Sequence, residues 1–192
     1  MATFVLVHGS WHGAWCWHRV VHELEALGHR VLAPDLPGHG DDATAPAQLT
    51  LKAYAECVAT VIRGATEPVV LVGHSFAGIV ISQVAEIVPE RTSRLVYVTA
   101  FLPANGQSLS RLATADPGNP VASSSIISAD RQLISLDLDK VQALLYADCP
   151  ESDVALARQR LCAEPVTPFV TPVAITAERA GSVPRTTRPH SF

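Results

Sequence analysis

Residues 69–90, VVLVGHSFAGIVISQVAEIVPE, restrict what this chain can fold into more than any other stretch. Residues 69–72 are apolar without alternation, the pattern of a strand buried on both faces. The helix predicted over residues 76–88 is apolar nearly all round. Neither element can face water, so both belong inside a parallel sheet with helices on its two faces. The alternation recurs along the chain. A short apolar strand at residues 4–7 stops at His8-Gly9. Trp17, Val20, Val21, Leu24 and Leu27 then recur at helical spacing up to Gly28, a natural helix stop. Residues 30–36 supply a second strand ending in the turn-rich DLPGHGD. Leu51, Tyr54, Ala55, Val58, Val61 and Ile62 mark another helix behind Thr50 as its cap, and residues 94–100 form a fourth strand.

From about residue 103 the rhythm changes. PANGQS, DPGNP and ASSS are loop-forming, helices expected near residues 140–147 and 151–161 come without strands between them, and proline is dense over residues 165–189. The chain divides into a core over residues 1–102, a mostly helical cap over 103–184 laid across the end of the sheet, and an irregular tail over 185–192. At 192 residues, 48% of them hydrophobic, it can bury one such core. A net charge of −4 with no basic run argues against a nucleic-acid or anionic-membrane partner, and no apolar stretch is long enough to span a bilayer. The four cysteines have no CxxC spacing and read as reduced thiols. With no basic leader before the first apolar run, the expected location is the cytoplasm.

In open parallel sheets, ligand sites form beyond the carboxyl ends of the strands. Three loops leave strands there with unusual content: HGSWHGAWCW, DLPGHGD and GHSFAG. In the third, Gly73-His74-Ser75-Phe76-Ala77 fills the G-x-S-x-G nucleophile-elbow template except at its last position. Such a turn is strained and crowded, so its flanks must be small; alanine meets that need, with Gly78 beside it. The turn holds the Ser75 hydroxyl at the start of a helix, where free N–H groups favour developing negative charge. Ser75 is therefore the candidate nucleophile rather than an incidental turn serine. Neighbouring residues have plainer readings. His74 is a structural histidine, His8 and His12 shape loops near the pocket, and Asp35 and His39 shape theirs. Trp11, Trp15 and Trp17 form a packing cluster that fixes the first helix, with Trp11 also a candidate pocket wall. His8, His12 and His18 lack the spacing and companion ligands of a zinc site, so no metal is expected.

Taken in order over residues 3–185, FVLVHGSWHGAWCW, VLAPDLPGHGDD, LVGHSFAG, RLVYVTAFLPANGQS and AERAGSVPR resemble one α/β-hydrolase family. It contains plant methylesterases and hydroxynitrile lyases, with bacterial esterase relatives. The resemblance implies an α/β-hydrolase sheet with a cap, no cofactor, and hydrolysis of small carboxylic esters through an acyl enzyme at Ser75. It also implies an oxyanion hole from the backbone N–H groups of Ser10 and Phe76, a single such donor being worth about 3 kcal/mol of barrier. Gly9, Trp11 and His12 are then candidates to line the pocket. Lyases of this family carry threonine at the position of Gly9, so Gly9 favours ester hydrolysis over cyanohydrin cleavage.

The family order is serine, then an acid, then histidine, the last two beyond the segment resembling AERAGSVPR. Here the sequence continues as RTTRPHSF, and residues 99–101 offer no acid after the fourth strand. The expectation is a C-terminally truncated or frame-shifted member lacking the last core strands and helices. The strand at residues 94–100 would then be an open apolar edge, and a homodimer through that edge is expected. His190 is a rival base, beyond a strand starting at Arg185 but without a positioned acid. Three function classes remain to be separated: ester hydrolysis, an impaired module that only binds small ligands or assembles, and cyanohydrin cleavage.

Overall fold

The computed structural model describes residues 1–115 and 120–188. Strands β1 (Thr3–Val7), β2 (Arg30–Leu32), β3 (Val69–His74) and β4 (Thr92–Val98) alternate with helices α1 (His18–Ala26), α2 (Leu51–Arg63) and α3 (Ala77–Ile87). The cap follows as α4 (Leu109–Thr114), α5 (Pro120–Ser123), β5 (Ser125–Ile127), β6 (Leu133–Leu136), α6 (Val141–Leu145), α7 (Glu151–Arg160), β7 (Glu164–Pro165) and α8 (Val166–Val170). The chain then returns to the main sheet as β8 (Arg185–Arg188). That sheet is parallel, in the order β2-β1-β3-β4-β8.

Unbroken apolar strands put hydrophobic side chains on both faces of this sheet. Val5, Val7, Leu71, Leu95 and Tyr97 pack on one side against α2 and α3, through Tyr54, Val58, Ile62, Ile79 and Val84. Leu6 and Val72 pack on the other against Trp17 and, from α1, Val21 and Leu24. Each side chain buried this way contributes roughly 1.5–3 kcal/mol. The helix ends obey the sequence signals. Thr50 Oγ accepts the Ala53 N–H at 3.0 Å at the start of α2, and Gly28 adopts φ +81° just after α1.

The structure corrects the sequence reading at several places. β2 ends at Leu32 rather than at residue 36, because the Leu36 N–H donates to His8 Nε2 instead of to a neighbouring strand. The cap is helical in its larger elements but also holds strands that the sequence reading did not give: β5, β6 and β7 form an antiparallel sheet within it. The tail is not irregular at residues 185–188, and β4 is not an open edge. β8 pairs with β4 from Leu95↔Arg185 to Val98↔Arg188, continued by Thr99 N–H to Arg188 O at 2.9 Å. A backbone ladder needs no apolar side chains, which is how the polar sequence RTTR serves as a strand. β8 thus covers the β4 edge that the sequence reading left open.

Candidate active site

The turn from β3 into α3 is a tight corner at the carboxyl end of the sheet. Ser75 adopts φ +55°, a left-handed value that a non-glycine residue holds only where its surroundings over-determine it. Those surroundings are specific. The Ser75 N–H donates to Val98 O at 3.4 Å, and its carbonyl accepts the N–H groups of Gly78 and Phe101, both at 3.1 Å. The flanks must be small: a Cβ on Gly73 would lie 2.9 Å from Ala77 O, and one on Gly78 would lie 2.0 Å from Phe101 O. Ala77, the departure from the five-residue template, is fully buried as the first residue of α3. The Ser75 side chain is half-buried, with the Phe76 N–H beside it at the helix start.

The β1–α1 loop lies directly against this corner. A Cβ on Gly9 would be 3.1 Å from Ser75 Cβ and 3.1 Å from His74 Nδ1. The Gly9–Ser10 peptide is fixed at its carbonyl end by His8 Nδ1, 2.8 Å from Gly9 O. Because that peptide is trans, the Ser10 N–H points away from the His8 ring. The next peptide is held at its carbonyl end by His12 Nδ1, 2.7 Å from Ser10 O, and at its N–H end by Glu164 Oε2, 3.0 Å from Trp11 N. Trp11 itself stands at φ +65°.

The histidines here have legible protonation states. His8 donates from Nδ1 to a carbonyl and accepts the Leu36 N–H at Nε2, so it is neutral; burial and the neighbouring His39 push its pKa down to about 3. His12 also donates from Nδ1, and its Nε2 lies 2.6 Å from the Tyr146 hydroxyl. Burial lowers its pKa to about 4, so at neutral pH Tyr146 donates to it. His39 is the opposite case. Both its nitrogens face oxygen acceptors, Pro37 O at 3.1 Å and Glu164 Oε2 at 3.0 Å, which only an imidazolium satisfies. Burial pulls its pKa down, but the bond and charge of Glu164 outweigh that and raise it. The ring bonds of His8, His12 and His39 are thus spent on loops, and His190 lies outside the described residues.

The remaining sequence candidates divide. Asp35 shapes its loop as expected, accepting the N–H groups of Ala14 at 2.6 Å and Asp41 at 3.1 Å. The three tryptophans do not form one cluster. Trp17 packs under the sheet with Leu6 and Val72, Trp15 stacks on His12, and Trp11 joins Leu136 and Val141 of the cap. Among the described residues no group of three His, Cys, Asp or Glu side chains is placed to hold a metal ion, and no helix is long and apolar enough to cross a membrane. A cavity of about 210 Å³ lined by Ser82, Tyr97, Asn105, Thr176 and Arg185 is separate from the Ser75 corner. Sequence reasoning missed Glu164 and Tyr146. Neither sits in a motif that names its role, and their partners His12, Trp11, His39 and Tyr54 are all distant in sequence, so only the tertiary contact reveals them.

A serine at left-handed φ between a central parallel strand and a buried helix, under a cap, defines the architecture of an α/β hydrolase. Residues 4–189 match the alpha/beta hydrolase family, and the chain belongs to that family. Among its relatives is methylesterase 1 of Arabidopsis thaliana, 47% identical over 104 residues, which cover 52% of this chain and 40% of that protein. Another is a carbendazim hydrolyzing esterase of Nocardioides sp. (strain SG-4G), 42% identical over 114 residues, covering 58% of this chain and 47% of that one. The matches thus span less than half of either relative's length. The crystal structure of polyneuridine aldehyde esterase superposes with a TM-score of 0.85 at 27% identity, covering 97% of this chain and 79% of that one.

Proposed function

We propose that the chain carries the nucleophile and oxyanion hole of an esterase that hydrolyses small carboxylic esters. The Ser75 hydroxyl attacks the ester carbonyl, and the N–H groups of Ser10 and Phe76 receive the charge that develops on its oxygen. The alcohol leaves, and water releases the acid from the acyl serine. The observation that carries this reading is Ser75 at φ +55° in the β3–α3 corner, with Gly9 packed against it. The names of the relatives, a methylesterase, a carbendazim hydrolyzing esterase and polyneuridine aldehyde esterase, support esterase chemistry. Gly9 supports hydrolysis over cyanohydrin cleavage, because it lacks the hydroxyl that the threonine of the related lyases brings to that position. His190 is a rival base within this sequence, without a positioned acid.

The test is p-nitrophenyl acetate turnover by residues 1–192, with the C-terminus confirmed by intact mass, beside Ser75→Ala and His190→Ala. Turnover that Ser75→Ala reduces to background is the expected result. If His190→Ala does the same, that residue is the base. Equal rates in wild type and Ser75→Ala would instead favour a module that only binds or assembles. Cyanide release from mandelonitrile would favour the lyase.

A further inference from the structure

Trp11 is where the cap takes hold of the β1–α1 loop. Its N–H donates to Glu164 Oε2 at 3.0 Å, its carbonyl accepts the Cys162 N–H at 3.0 Å, and its indole N–H donates to Ile134 O at 2.9 Å. All three partners belong to the cap. A bulky residue at φ +65° is costly, by about 1–3 kcal/mol, and persists only where such contacts impose it. Glu164 is fully buried, and its carboxylate also receives His39 Nε2–H at 3.0 Å and the Tyr54 hydroxyl at 3.3 Å. One side chain of β7 therefore ties the β1–α1 loop to the β2–α2 loop and to α2.

We propose that Glu164 is a positioning residue for the oxyanion hole. By holding the Trp11 N–H it fixes the Ser10–Trp11 peptide, and with His8 and His12 on the two neighbouring carbonyls it sets the direction of the Ser10 N–H. The cap, not the core, thus completes the site that the elbow begins. The proposal rests on Ser10 N–H being an oxyanion donor.

Two readouts test it in the full chain. The first is amide hydrogen exchange at Trp11, which reports the hold of Glu164 without reference to catalysis. The second is affinity for phenylboronic acid, whose tetrahedral adduct with the Ser75 hydroxyl places a boronate oxygen in the oxyanion hole. Glu164→Ala is expected to speed exchange at Trp11 by at least about tenfold and to weaken the boronate by about tenfold, less than the loss of a whole donor. Glu164→Gln, which keeps an acceptor of the same shape, is expected to restore most of both. A folded Glu164→Ala with wild-type exchange and boronate affinity overturns the proposal. So does a Trp11 amide that already exchanges freely in the wild type, the readout that decides if the alanine variant does not fold. Boronate binding that survives Ser75→Ala removes the esterase reading alone, and exchange at Trp11 still decides what Glu164 holds.

Discussion

The two halves of the candidate site touch, with Gly9 against Ser75, yet they are held by different parts of the molecule. The Ser75 corner is fixed from within the core: its backbone bonds go to Val98, Gly78 and Phe101, and the glycines that permit it lie within three residues of it. The Ser10 corner is fixed from outside, through Trp11, by a carboxylate 153 positions from that residue in the cap. The Ser75 corner needs nothing from the cap, whereas the Ser10 corner does. On the function proposed above, cap movement and transition-state stabilisation would therefore be coupled.

Removing Glu164 should have the largest effect on this contrast. Glu164→Ala leaves the His39 imidazolium and the Trp11 N–H buried without their partner, and losing one member of a buried ion pair costs about 3–5 kcal/mol. Urea unfolding of the variant beside wild type measures it. A loss below about 1 kcal/mol would mean that water or a rearranged loop replaces the carboxylate, and the two corners would then differ little.

Gly78→Ala attacks the other corner. The new methyl would sit 2.0 Å from a backbone oxygen, Phe101 O, which cannot swing aside as a side chain can. Overpacking of this kind costs about 1–3 kcal/mol, and the shift must pass into the bond between Phe101 N–H and Ser75 O. Stability and Ser75 reactivity should fall together, while exchange at Trp11 stays as in wild type. Faster exchange at Trp11 in this variant would show that the corners are not independently held.

The same division explains what could be read from the sequence. The core was legible because each element carries its own signal: unbroken apolar strands, helical spacing, Thr50 at a helix start, Gly28 at a helix end, and the small residues around Ser75. The order of elements through β4 followed from these alone. β8 was legible only as the strand from Arg185 that the rival reading of His190 assumed, because its residues, RTTR, are placed by ladder bonds to β4 rather than by burial. The cap strands were missed because they are short and paired only with one another. Glu164 was illegible for a related reason. A buried carboxylate is defined by its partners, and Trp11, His39 and Tyr54 are all distant in sequence.

Two adjacent histidines, their rings 5.1 Å apart, give the contrast a pH dependence with opposite signs. His8 is buried neutral with a pKa lowered to about 3, so its contribution is complete above the unfolded value of about 6.5 and is lost as pH falls below it. His12, lowered to about 4, adds to that acid-side loss. His39 has its pKa raised by Glu164, with Asp35, Tyr54 and His8 also facing it. Its contribution is complete below about pH 6.5 and is lost as pH rises through the raised value. Unfolding free energy measured from pH 4 to 9 should therefore fall on both sides. His39→Gln should flatten the alkaline side only, and a flattened acid side would mean that the two rings titrate as one unit.

The smallest effect separates the parts of the Glu164 cluster. The Tyr54 hydroxyl donates to Oε1 at 3.3 Å, whereas Trp11 and His39 both donate to Oε2 at 3.0 Å. A longer bond to the oxygen that does not hold the loop should matter less, so Tyr54→Phe is expected to cost about 1 kcal/mol. The phenyl ring keeps its edge contacts with His39 and Phe76, and exchange at Trp11 should not change. A loss near that of Glu164→Ala, with faster exchange at Trp11, would mean that the three donors hold the carboxylate as one network. In that case α2 also positions the β1–α1 loop, and the line between core and cap runs through Tyr54 rather than at β7.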